Sequence, residues 1–122
     1  MTYVRSYSHV ERELMHHYRD QLNHAESEED IKKFFTQTVH RLLAIVLDNR
    51  TTVTDGDAVL TPKHPPYYEI SDRLARTRSF QQARKHSDLT AVLRRFAEPA
   101  VKHYRHLLGH PEKTRAKIRP HS

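Results

Sequence analysis

Cysteine is missing from the chain, and so is tryptophan. Without cysteine there are no thiol nucleophiles, disulfides, thiolate zinc sites or iron–sulfur clusters. Glycine occurs only at Gly56 and Gly109. So few glycines disfavour the turn-rich all-β architectures, which need residues at positive φ. They also leave no P-loop and no dinucleotide fingerprint. Long apolar runs are missing too: the longest, Leu42 to Leu47, has six residues, far short of the roughly 18–20 of a membrane span. The N-terminal residues Met1 to Arg5 lack the apolar stretch of a signal peptide. Together these features predict a cytoplasmic protein with no membrane partner, in keeping with a reducing compartment.

What is present is charge, unevenly spread. Charged residues make up 30% of the 122 positions and hydrophobic ones 36%, enough apolar content for one modest core. Residues 1–61 carry seven Lys/Arg against ten Asp/Glu; residues 62–122 carry fourteen against five. The second half is therefore strongly basic, which points to an anionic partner.

Periodicity predicts a mainly all-α fold, a compact bundle of four to five helices. Tyr7, Val10, Leu14, Tyr18 and Leu22 recur at helical spacing, with Met15 at the edge of the stripe, so a first helix starts near Ser8 and fades near Asn23. Ser27-Glu28-Glu29-Asp30 resembles a capping box and opens a second helix. Its wide stripe of Ile31, Phe34, Phe35, Val39, Leu42, Leu43 and Val46, broadened by Ile45 and Leu47, runs to about Asn49. Asp55-Gly56 between two short β-prone runs predicts a β-hairpin over about 51–61. Pro62, Pro65 and Pro66 then form an extended connector. A third helix is expected from Pro66 or Tyr67, with a break near Ser79 and a short helix capped there. The last helix spans about Ser87 to Leu108, kinked by Pro99 and ended by Gly109 as its C′ residue. Residues 1–109 thus form a single helical domain, and 110–122 a basic, mobile tail.

Three groups of residues bear on chemistry. On the last helix Arg94, Arg95, Lys102 and Arg105 project opposite the core side. Arg73, Arg76, Arg84 and Lys85 can extend that surface, and the tail adds Lys113, Arg115, Lys117 and Arg119. Such a face neutralises nucleic-acid phosphates or an acidic protein surface. Glu98 sits between Arg94 and Lys102 at the spacing of ordinary surface ion pairs, which would make the same residues a solvated helix face. Tyr67 and Tyr68 follow two prolines, and an exposed tyrosine there would suit a partner surface.

Histidine is the second group, with eleven residues. Glu13, His17, Asp20 and His24 share the polar side of the first helix, and His103, His106 and His110 lie along the last. If the two sets met, a transition metal such as zinc or nickel could sit between them. Glu13-Leu14-Met15-His16 is one Glu-x-x-His string, but a di-iron bundle needs two, all facing inward.

The third group is Arg105-His106-Leu107-Leu108-Gly109-His110, which resembles the Arg…His string of HEPN-like ribonucleases; Arg19 to His24 fits as well. That resemblance implies RNA cleavage by Arg105 and His110, over six residues only. The composition alone yields about four such strings by chance. Asp55-Gly56-Asp57 lacks the alternating ligands of a calcium loop, and no serine has a nucleophile context.

The expectation from the residues is a non-enzymatic helical accessory or binding module with no cofactor. It docks its basic C-terminal half on a nucleic acid or an acidic protein, and a homo-oligomer is compatible with it. The alternatives are a histidine/carboxylate metal-binding bundle and, third, a HEPN-like ribonuclease.

Overall fold

Apolar stripes on three long helices meet in one core. The computed structural model describes residues 6–48 and 50–109. Its elements in chain order are α1 (Ser8–Asn23), α2 (Glu28–Leu47), β1 (Ala58–Leu60), β2 (Tyr68–Ile70), α3 (Asp72–Ala75), α4 (Arg78–His86) and α5 (Leu89–Gly109). The fold is mainly helical with a small two-strand antiparallel sheet. The tail expected over 110–122 lies outside the described residues. Among these, no helix is long and apolar enough to cross a membrane.

Helix α2 is central. Ile31, Phe35, Val39, Leu42, Leu43 and Leu47 are fully buried, and α2 packs on α1, α5, β1 and α4. Its start is fixed locally. The Ser27 hydroxyl accepts the Asp30 N–H at 3.1 Å, and the Asp30 carboxylate accepts the Glu26 N–H at 3.0 Å. One N–H that the helix start would leave unpaired, and the Glu26 N–H just ahead of the cap, are thereby satisfied. Ser27→Ala should cost about 1 kcal/mol of stability in urea unfolding; an unchanged midpoint would mean the cap contributes nothing. Asp48 ends the helix in the left-handed region (φ 51°). Ile45, expected in the apolar stripe, is instead 48% exposed.

Helices α1 and α5 run parallel. The Asp88 carboxylate, just before α5, accepts the Tyr7 N–H at the start of α1 at 2.8 Å. Further along, the Tyr18 hydroxyl donates to the Phe96 carbonyl at 2.6 Å. α5 runs as one helix through Pro99 and is still helical at Gly109, which is therefore not the C′ residue.

Between α2 and α5 the structure departs from the expectation. Strand β1 lies where the hairpin's second strand was expected, but its partner is β2, not residues 52–54; Leu60 pairs with Tyr68 and Ala58 with Ile70. The reason is the turn at Asp55-Gly56. Gly56 has positive φ (91°) and Asp55 does not, the pattern of a type II turn rather than the primed turns that close two-residue hairpins. The Asp57 carboxylate also takes the Thr54 N–H at 2.7 Å, removing a donor a ladder would use.

Tyr67 cannot open a helix, since its φ is 78°. Its N–H bonds to the His64 carbonyl and its carbonyl accepts from Thr61, both at 2.8 Å, closing the loop between the strands. The helical stretch expected from Pro66 shrinks to the single turn α3, capped by Ser71. The next break falls at Thr77, whose hydroxyl caps α4. Ser79 does not cap; its hydroxyl bonds Thr51.

Candidate functional site

The basic residues of the second half separate into three fates. Arg95 is neutralised: its guanidinium makes a two-pronged contact with Glu11, Nε to Oε2 at 2.7 Å and Nη2 to Oε1 at 2.8 Å. That hydrogen bond leads the influences that raise the arginine above its ordinary pKa. Arg73 is likewise consumed. It pairs with Asp57, which is 2% exposed, and donates to the Thr52 carbonyl at 2.8 Å. These two arginines, expected on the free surface, instead hold acids of the first half.

The second group surrounds the strand β2. Arg105, from the second half of α5, lies over the Tyr67 ring, with Cζ 5.6 Å from the ring centroid and Nη2 3.4 Å from the hydroxyl. Such a contact contributes about 0.5–1 kcal/mol at an exposed position. Tyr68 sits half-buried beside it. Burial pushes its phenol above the ordinary value, and the nearby charges of Arg94 and Arg84 oppose that rise. Tyr67, just before β2, and Tyr68, its first residue, thus gather arginines from α4 and from both halves of α5. Among the described residues none of Arg84, Arg94 and Arg105 forms an ion pair. Glu98 is within ion-pair distance of neither Arg94 nor Lys102, contrary to its spacing on the helix. Arg76 and Lys85 are exposed, and the charges acting on Tyr68 come from Arg94 and Arg84 instead. Lys113, Arg115, Lys117 and Arg119 lie outside the described residues.

Lys102 belongs to a third place, an open groove of about 700 Å³ between the end of α1 and the second half of α5. Arg19 and Asn23 line one wall; Glu98, Lys102, His103 and His106 line the other; Leu22 and Pro99 supply apolar surface. His103 is held below its ordinary pKa by burial first, then by His106 and Lys102.

The histidine sets do not meet. Glu13 and His17 line a separate small groove of about 140 Å³ on the α2 side of α1. Glu13 pairs with His9 at 3.1 Å, and the His24 ring turns back to the Asp20 carbonyl of its own helix at 2.8 Å. Among the described residues no three His, Asp or Glu side chains converge as a metal would require; His110 lies outside them. The α1–α5 groove also holds two permanent cations against one carboxylate, a balance that suits an anion rather than a dication. Of the ribonuclease string, Arg105 is engaged with Tyr67 and His110 is outside the described residues. In the other string Arg19 lines the groove while His24 faces its own helix.

What this arrangement defines is a mainly helical protein with cations on its α4–β2–α5 face and in the α1–α5 groove. Compared with family models, curated proteins and solved structures, the chain gives no match. The sequence marks Arg19 only as part of an Arg…His string and gives Asn23 no role of its own; their neighbourhood with Lys102 exists only once α1 and α5 lie parallel.

Proposed function

We propose that the chain is a non-enzymatic binding module that docks on an anionic partner, a nucleic-acid backbone or an acidic protein surface, through Arg84, Arg94 and Arg105. The observation that carries this reading is the gathering of three arginines without carboxylate partners around Tyr67 and Tyr68. Arg95 on α5 and Arg73 on the neighbouring α3 are neutralised by acids of the first half, whereas Arg84, Arg94 and Arg105 keep their charge open to a partner. Tyr67 at positive φ (78°) is consistent with it: an aromatic residue there costs of order 1 kcal/mol or more, and such strain clusters at functional sites. Arginine suits phosphate and carboxylate acceptors equally, through its planar fork of donors.

The test is fluorescence anisotropy with labelled single-stranded RNA, duplex DNA and an acidic peptide. At about 50 mM and about 200 mM salt, affinity for the true partner class should fall steeply, because counterions are released. Arg84→Ala, Arg94→Ala and Arg105→Ala should each weaken binding and lower the salt slope by about 1 if the partner is a nucleic acid. Arg95→Ala should instead reduce stability with little change in the slope. Binding to none of the three probes at low salt, or variants that bind like the parent, would remove the reading.

A further inference from the structure

The groove between α1 and α5 is a separate place with its own charge balance. We propose that it binds a small organic phosphate ester of about mononucleotide size. Its volume, about 700 Å³, lies inside the roughly 300–1,000 Å³ range of small-molecule sites. Each wall contributes one permanent cation, Arg19 from α1 and Lys102 from α5, and neither forms an ion pair among the described residues. A guanidinium offers a two-pronged contact to phosphate oxygens and an ammonium adds a compact charge beside it.

The remaining lining explains why an ester fits better than free phosphate. Burial first, then His106 and Lys102, holds His103 below its ordinary pKa, which favours the neutral ring with its one N–H donor. Asn23 supplies an amide. Pro99, half-buried, presents apolar surface that an inorganic ion cannot use, with the buried Leu22 behind it. Glu98, the one carboxylate, repels a phosphate placed next to it but accepts hydrogen bonds from ligand hydroxyl or amino groups. The phosphate therefore sits toward Arg19 and Lys102, with the organic body over Pro99.

Calorimetric titration of the untagged full chain with AMP, glucose 6-phosphate, adenosine, glucose and inorganic phosphate tests this. At least one ester should bind about tenfold or more tighter than inorganic phosphate, and its dephosphorylated counterpart should not bind detectably. Arg19→Gln and Lys102→Gln should each weaken that ester by about tenfold or more while the thermal midpoint stays unchanged. Both side chains are exposed, so these variants fold. Esters that bind no better than phosphate, or Arg19→Gln binding like the parent, would overturn the proposal.

Discussion

Tyr18→Ala is expected to lower the unfolding free energy by about 3–5 kcal/mol, as removal of a buried aromatic ring does. Tyr18 is completely buried, and its ring lies against that of Phe96 with centroids 5.3 Å apart at 56°. Its hydroxyl donates to the Phe96 carbonyl at 2.6 Å. That carbonyl neighbours the one on Arg95, which Pro99 leaves without its helical N–H donor. The phenol thus fills the α1–α5 seam and satisfies polar backbone beside the interruption. Burial also raises its pKa, so it remains a donor throughout the accessible pH range. Tyr18→Phe keeps the ring and loses one hydrogen bond, so it should cost only about 1 kcal/mol. Urea unfolding followed by circular dichroism gives both values. Equal losses in the two variants would show that the hydroxyl, not the ring, holds the seam. A loss below about 1 kcal/mol in the alanine variant would contradict the packing itself.

Parts of this molecule governed by local rules were legible in the sequence. The bounds of α1 follow from the spacing of Tyr7, Val10, Leu14, Tyr18 and Leu22. The start of α2 follows from Ser27 and Asp30, whose bonds span only a few residues. The segment from Thr51 to Thr77 was not legible, because distant partners decide it. Ser71 and Arg73, fourteen and sixteen residues beyond Asp57, complete the shell around its carboxylate, and the turn type at Gly56 sets where the chain goes next. The candidate surfaces divide in the same way. Composition shows a basic second half, but not that Glu11 takes Arg95 and Asp57 takes Arg73. Each pairing joins residues on different elements, and helix spacing alone gives no hint of it. Arg19 stood out only as the first residue of an Arg…His string and not as a groove residue, since that place depends on which helix lies beside α1. The charge asymmetry therefore shows which half carries the excess cations, and gives no guide to which of them acids on other elements neutralise.

The loss expected in Asp57→Asn follows from the same long-range network. Burial by itself would raise the Asp57 carboxyl. The hydrogen bonds outweigh it, from Ser71 first (2.5 Å), then the Thr54 N–H (2.7 Å), Arg73 and the Thr54 hydroxyl (3.0 Å), and they hold the pKa near about 2, against 3.8 ordinarily. All four partners are donors, so the site demands acceptors on both oxygens. An asparagine must turn its amide N–H groups toward at least one of them and leaves Arg73 without its counter-charge. The carboxylate's contribution corresponds to roughly 2 kcal/mol from the pKa difference. Asp57→Ala, which also empties the space, should cost about 3–5 kcal/mol. Because the folded-state pKa is depressed, this stability is fully present above the unfolded value of about 4 and is lost as the pH falls through about 2. The parent should therefore exceed Asp57→Asn in stability by a constant margin from about pH 7 to pH 5. Below about pH 4 that margin should shrink, and near pH 2 the two proteins should converge. A margin independent of pH down to about 2 would show that the ionised carboxylate is not what joins the Thr54–Asp57 turn to α3. Loosening that junction releases β1 and, through its pairing with β2, the two tyrosines on which the arginine surface is assembled. Asp57→Asn should then weaken anionic binding although it touches none of Arg84, Arg94 and Arg105.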